Sequence, residues 1–187
     1  MLDNVVATDT DGKAYQVNEA IDASIRMIIE QANYGGKVLF IGNGGSASIA
    51  SHMATDFTRT IGIQALAFND ASLLTCISND YGYGHVFEKP IEVFAEPNDV
   101  LVAISSSGQS ENILRGVTTA KEKGLKVVTL SGFDEDNPLR KLGNINFYLP
   151  SSSYGYVEVV HLSICHCFVD IIANDKSKFS KEVECYE

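Results

Sequence analysis

Asp99-Val-Leu-Val-Ala-Ile104 runs without a break into Ser105-Ser-Ser-Gly-Gln-Ser110. A short continuous apolar run is the signature of a strand buried on both faces, as in a parallel sheet. The residues after it are turn formers and helix caps, so the strand ends in a loop that opens a helix reaching Gly124. Ligands of open parallel sheets bind beyond the carboxyl ends of such strands. At that place four hydroxyls, an amide side chain and a glycine lie at a helix N-terminus, where backbone N–H groups lack partners and the helix dipole favours an anion. One serine would serve as a cap; four hydroxyls suit the three oxygens of a phosphomonoester. Ser105, Ser106, Ser107, Gln109 and Ser110 are therefore candidate phosphate contacts, and no Lys or Arg is needed.

Outward from this stretch the same pattern repeats. Lys37–Ile41, Gln64–Phe68, Lys126–Leu130 and Ile145–Leu149 read as further buried strands, giving five in all. Between them lie helices over Ser46–Thr60, Ser72–Ser78, Val86–Phe94 (broken near Pro90) and 111–124, and Val157–Ala173 closes the core. Asn79–Gly84 reads as a polar loop. The alternation predicts an α/β fold with a five-stranded parallel sheet and helices on both faces. The whole chain, 1–187, reads as one domain, with the core at 37–173 and a charged tail at 174–187. Val17–Asn33 carries Ile21, Ile25, Ile28, Ile29 and Ala32 at helical spacing. Because later helices already cover the sheet, the stripe of this 17–34 segment is expected to pack against other subunits.

A second glycine-rich turn follows the first strand: Gly42-Asn43-Gly44-Gly45-Ser46. Gly42, Gly44 and Ala47 match the dinucleotide fingerprint, and Asp70 lies near the end of the next strand. That match leaves the Ser105–Ser110 loop unexplained.

Composition limits the partners. The formal net charge is −10, from 14 basic and 24 acidic residues. Nucleic-acid binding needs clustered Lys and Arg to neutralise phosphates, so it is not expected. No uninterrupted apolar run reaches the roughly 18 residues of a membrane span, and residues 1–16 lack the features of a signal peptide. Cys76, Cys165, Cys167 and Cys185 form no CxxC pair and read as reduced thiols of a cytoplasmic protein.

Taken together, Ile41-Gly-Asn-Gly-Gly-Ser46, Asn79-Asp80-Tyr-Gly, Asp99–Ser110, Ala120-Lys-Glu-Lys-Gly with Val127-Val-Thr-Leu-Ser-Gly132, and the late helix with Glu158, His161 and His166 resemble the sugar isomerase (SIS) domain family, with its flavodoxin-like fold. Within that family the chain is similar to the phosphoheptose isomerases over nearly its whole length. The resemblance implies conversion of sedoheptulose 7-phosphate to D-glycero-D-manno-heptose 7-phosphate for bacterial surface polysaccharide. It also implies a homotetramer with sites between subunits and, in some members, one zinc per subunit. It assigns Ser46, Ser105, Ser107 and Ser110 to phosphate and sugar contacts and Asn43 to the sugar. Gly44, Gly45, Asn79 and Asp80 fall in its motifs and are carried as further substrate contacts.

Aldose–ketose isomerisation moves a proton between adjacent carbons through an enediolate, and needs a base, an acid and oxyanion stabilisation. His52 and Asp56 are spaced i,i+4 and share a helix face; Glu158 and His166 lie two turns apart on the last helix. At the positions matching His52, Asp56, Glu158 and His166 the family has its acid–base pair and its zinc ligands. Asp56 and His166 would be the proton-transfer pair, and Glu158 would also touch substrate. Two departures stand inside this set: Asp56 replaces the family's glutamate, and Glu158 replaces its glutamine. A base one methylene shorter must regain about an ångström elsewhere, and such misplacement can cost roughly 10²-fold in rate. Two other functions therefore stay open: a phosphosugar-binding module that acts through protein partners, and an isomerase of a different phosphosugar. His161 reads as structural, His85 as a possible neighbour of the site, and Cys165 as packing.

Overall fold

The computed structural model describes residues 2–174. The charged tail from 175 onward, with Cys185, lies outside them.

All five expected strands are present: β3 (Val38–Gly42), β4 (Ala65–Ala67), β5 (Val100–Ser105), β6 (Lys126–Gly132) and β7 (Ile145–Leu149). They pair in parallel in the order β4-β3-β5-β6-β7. With these strands counted along the chain, that is the flavodoxin-like order 2-1-3-4-5, whose switch point lies between β3 and β5.

The sheet has seven strands rather than five. Residues 6–15, to which the sequence pattern assigns no element, form a hairpin, β1 (Val6–Asp9) and β2 (Ala14–Tyr15), and β1 pairs antiparallel with β7. The turn is built by Asp9, whose Oδ1 accepts the N–H groups of Asp11 and Lys13 at 3.0 and 2.9 Å. Gly12 supplies the positive φ, 81°.

Alternate residues of the buried strands feed two cores. On one face Val38, Phe40, Val100, Val102, Ile104, Val128 and Phe147 meet α1 (Val17–Asn33), α2 (Gly45–Asp56) and α6 (Tyr154–Asn174). On the other, Leu39, Ile41, Leu101, Ala103 and Val127 meet α3 (Ala71–Tyr81), α4 (Glu88–Phe94) and α5 (Glu111–Glu122). The apolar stripe of α1 is spent inside the chain: Ala20, Ile21, Ile25, Ile28 and Ile29 are buried, and the helix touches β1, β5, β7 and α6. Two helices do not cover the widened sheet, so the expectation that this stripe is left free for other subunits does not hold.

Four local differences bear on the site. First, α2 stops at Asp56 and passes into a π-helical turn, Phe57–Ile61, anchored by buried Phe57 edge-on to Phe40 at 5.3 Å. Second, α3 runs on to Tyr81, so Asn79 and Asp80 stand on its exposed last turn rather than in a loop. Third, Pro90 falls in the first turn of α4, where its missing N–H costs nothing, so no break occurs. Fourth, α6 begins three residues earlier than expected, at Tyr154. By length and composition α6 matches a membrane span, with a mean hydropathy of 1.6. Its Val157, Val160, Ile164, Phe168 and Ile172 are buried on the sheet, which is what a core helix requires.

Candidate active site

The loops after β3 and β5 flank the switch point and enclose a pocket of about 240 Å³. Its walls are Asn43, Gly44, Gly45 and Ser46 from the first loop, Ser105, Ser106, Ser107 and Ser110 from the second, and Tyr154 and Glu158 from α6. Gly44 caps α2 with φ 55°, a conformation that resists a side chain. At Gly108, φ 63°, a Cβ would lie 1.9 Å from the Asn137 side-chain oxygen, so the serine loop closes tightly over Asn137. Within the loop, Ser105 Oγ accepts from the Gly108 N–H at 3.2 Å and lies 3.4 Å from Ser110 Oγ. Ser107 Oγ accepts from the Gln109 N–H at 3.3 Å. Ser107, an acceptor within the loop, keeps its own hydrogen to donate to an anion, and of the bonded pair Ser105 and Ser110 one hydroxyl hydrogen is left to do the same.

The two loops are tied together by a residue the sequence did not single out. Buried Asn112, on the first turn of α5, exchanges side-chain amide bonds with Asn43, and Tyr83 donates to Asn43 Oδ1 at 3.0 Å. Only knowledge of which loops are neighbours would have picked Asn112 from the chain.

Among the described residues lining the pocket, Glu158 is the sole carrier of charge. Its carboxylate lies against Gly45, where an added Cβ would stand 2.4 Å from its oxygens. Below the pocket, α2 and α6 pack side by side. His52 is seven residues past Gly45, about 10 Å down the helix. There His52, Asp56 and His166 come together with their ligand atoms within 4.8 Å of one another. His52 Nε2 is 3.3 Å and His166 Nδ1 3.9 Å from Asp56 Oδ2, and the two imidazoles stand edge to face at 5.2 Å. Arg59, on the π-helical turn, reaches Asp56 Oδ1 at 3.8 Å. The cluster is open to solvent on the histidine side, while Asp56 is mostly covered.

Three of the four expected metal ligands thus group, and the fourth does not. Glu158 is eight residues, about 12 Å of helix, before His166, and it belongs to the pocket wall. Other expected contacts also lie elsewhere. Gln109 faces a separate groove with Glu88, Glu111 and Arg115. Asp80 is bonded to Asn79, and neither lines the pocket. His85 is held by Glu88 at 2.5 Å, beside Arg115. His161 is buried, its Nε2–H donating to the Ser131 carbonyl at 3.1 Å, and burial lowers its pKa to about 4. Cys165 is buried, which pushes its thiol up to about 12 and leaves it inert, in keeping with packing.

The dinucleotide reading of the Gly42–Ala47 turn fails to account for this wall of serines. A family model described as the SIS domain matches residues 8–132. The phosphoheptose isomerase of Proteus mirabilis is 34% identical over 168 residues, 86% of either chain. That of Helicobacter pylori is 36% identical over 162 residues, covering 83% of this chain and 84% of the other. Among solved structures, the phosphoheptose isomerase of Neisseria gonorrhoeae superposes with a TM-score of 0.76 at 33% identity, covering 82% of this chain and 86% of that one. The fold, the serine-lined pocket and these likenesses agree: the chain belongs to the SIS domain family, among the phosphoheptose isomerases.

Proposed function

We propose that the protein is an aldose–ketose isomerase that converts sedoheptulose 7-phosphate to D-glycero-D-manno-heptose 7-phosphate. One observation carries this reading. A serine-lined pocket and a carboxylate–two-histidine cluster both lie along the packed pair of helices α2 and α6, about 10 Å apart along the helix. That spacing suits a long sugar held by its far phosphate with C1 and C2 at the cluster. The named activity of the relatives supports the same substrate.

The chemistry follows from the placement. Ser105, Ser107 and Ser110 hold the phosphate, and Ser46, Asn43 and Glu158 meet the sugar hydroxyls. Asp56 accepts the proton from one carbon and His166 manages the proton of the adjacent oxygen as the enediolate forms and collapses. Two imidazole nitrogens and a carboxylate, with an open side toward solvent, fit a zinc ion of the catalytic type. His52, Asp56 and His166 would hold it, and when bound it polarises sugar oxygens as a Lewis acid. Activity inside the cytoplasm and a homotetramer complete the reading. The assembly is supported by exposed Tyr81, Val93 and Phe94 on α3 and α4, and by exposed Asn79 and Asp80, which stand outside their own pocket where a neighbour's could reach them.

The test is solvent exchange. Zinc-loaded protein turning over sedoheptulose 7-phosphate in D2O should place deuterium at C1 or C2. Absence of exchange with every C5 to C7 phosphosugar would overturn the isomerase in favour of a binding module.

A further inference from the structure

One aromatic side chain on the rim of the pocket has no part in the scheme above. Tyr154 opens α6, one turn ahead of Glu158 on the same face, and lines the pocket although 63% exposed. Exposed tyrosines are common, but this one is held in an unusual way. Its ring stands edge-on to Phe133, with centroids 4.7 Å apart and planes at 85°. Phe133 is the one non-glycine with positive φ among the described residues, at 58°. In that region Cβ crowds the following carbonyl, and a bulky residue there is strained.

The surroundings hold the strain in place. The Phe133 N–H donates to the Ser151 carbonyl at 3.0 Å, and its own carbonyl accepts the Tyr148 hydroxyl at 3.0 Å. Tyr148 is itself buried, with the Arg140 guanidinium 4.3 Å over its ring. Glycine or asparagine would take this backbone more easily. Strain kept up by several contacts is typical of ligand clamps. The phenyl ring packs against the edge of the core and from there reaches Tyr154.

We propose that Tyr154 is a substrate-contacting residue that closes the phosphate end of the pocket, and that Phe133 positions it. The inference rests on the reading of the pocket as a phosphosugar site and adds a binding residue to it. The phenol offers a further O–H donor to a pocket whose wall already carries the hydroxyls of Ser46, Ser105, Ser106, Ser107 and Ser110. The ring screens the bonds beneath it from water, where hydrogen bonds are electrostatically stronger. A group that grips the phosphate equally in ground and transition states acts on KM and leaves kcat alone.

The experiment uses the full-length, zinc-loaded protein with sedoheptulose 7-phosphate. KM and kcat are measured together with a calorimetric Kd, which does not depend on turnover. Losing a hydrogen bond to a charged group corresponds to a rise of roughly 10-fold or more. Tyr154→Ala should therefore raise KM and Kd by about that factor, with kcat changed less than about threefold. Tyr154→Phe should keep the part due to the ring. Phe133→Asn, which tolerates the left-handed backbone, should shift KM and Kd in the same direction by less. Because Phe133 acts through Tyr154, the double variant should be no worse than Tyr154→Ala alone. KM and Kd of Tyr154→Ala within twofold of wild type would overturn the proposal, as would additive effects in the double variant. Either result leaves the phosphosugar pocket standing. A wild type that neither binds nor turns over the compound removes the pocket reading and this inference with it.

Discussion

Asn43 and Asn112 clasp each other across the switch point: the Nδ2 of each donates to the Oδ1 of the other at 2.9 Å. The clasp joins the glycine turn after β3 to the helix that follows the serine loop, so both walls of the pocket share one rigid link. Asn112→Ala should destabilise the fold by about 1–3 kcal/mol, since buried amide groups lose partners. It should also weaken sugar-phosphate binding without touching a ligand contact. Asn112→Asp keeps the acceptor for the Ile113 N–H at 3.0 Å, but it loses the donor to Asn43 Oδ1 and sets a buried negative charge against that oxygen, so it should destabilise the clasp as well. Urea unfolding and KM measured on both variants check this; unchanged KM in both would show that the loops are held by other means.

Ser107→Ala and Ser105→Ala test the phosphate wall. Each should weaken the sugar phosphate by roughly 1.5–3 kcal/mol if its hydroxyl donates to the dianion. Ser107→Ala is the cleaner probe, because in the folded chain its Oγ only accepts from Gln109. The dephosphorylated sugar should bind poorly to the wild type. Calorimetry with both compounds decides, and equal affinity for them would refute the wall as the phosphate site.

The cluster of His52, Asp56 and His166 separates chemistry from binding. His166→Ala and Asp56→Asn should abolish solvent-deuterium exchange while changing phosphate-end affinity by no more than a few fold, because the phosphate is held about 10 Å away. His52→Ala should lower the zinc content of purified protein, read by elemental analysis without any assay of turnover. Asp56→Glu asks whether the pocket was rebuilt around the shorter carboxylate: a rise in kcat means it was not. Full zinc content in His52→Ala would remove this residue from the ligand set.

His161 predicts an acid limb in stability. Burial lowers its pKa from 6.5 to about 4, so the folded state binds fewer protons than the unfolded chain between those values. Its contribution is fully present above pH 6.5 and is lost as pH falls toward 4, amounting to about 3 kcal/mol at 1.36 kcal/mol per unit. His161→Gln, which retains an N–H donor for the Ser131 carbonyl, should flatten that limb. Urea unfolding from pH 7 to pH 4 compares the two proteins. Equal acid losses would place the effect in other groups.

The parallel core was legible because its central strands are buried on both faces: Val38–Gly42 and Val100–Ser105 are buried throughout, and their residues 38–41 and 100–104 read as unbroken apolar runs. The serine and glycine loops were legible for the complementary reason, as polar residues where a buried strand ends. The N-terminal hairpin was not. Its second strand is two residues long, and two residues carry no period. Missing it also misjudged α1, since a sheet two strands wider needs a third helix on that face. Glu158 and His166 share a helix face, but the eight residues between them span about 12 Å, which spacing alone did not weigh. Tyr154 fell outside the helix as drawn from sequence, so its place one turn above Glu158 was hidden.

An anion held only by hydroxyls and backbone dipoles sits in a short-ranged field. Ionic strength screens charges that act across a Debye length of about 8 Å at physiological salt, and the pocket wall has no such cation to screen. Substrate capture is then governed by contact geometry rather than by long-range attraction. Affinity for the sugar phosphate should hold nearly level as salt rises from tens to hundreds of millimolar, where an arginine-lined pocket would weaken. The net charge of −10 works in the same direction. Added salt relieves the general repulsion between protein and substrate, so whatever small trend remains should favour binding.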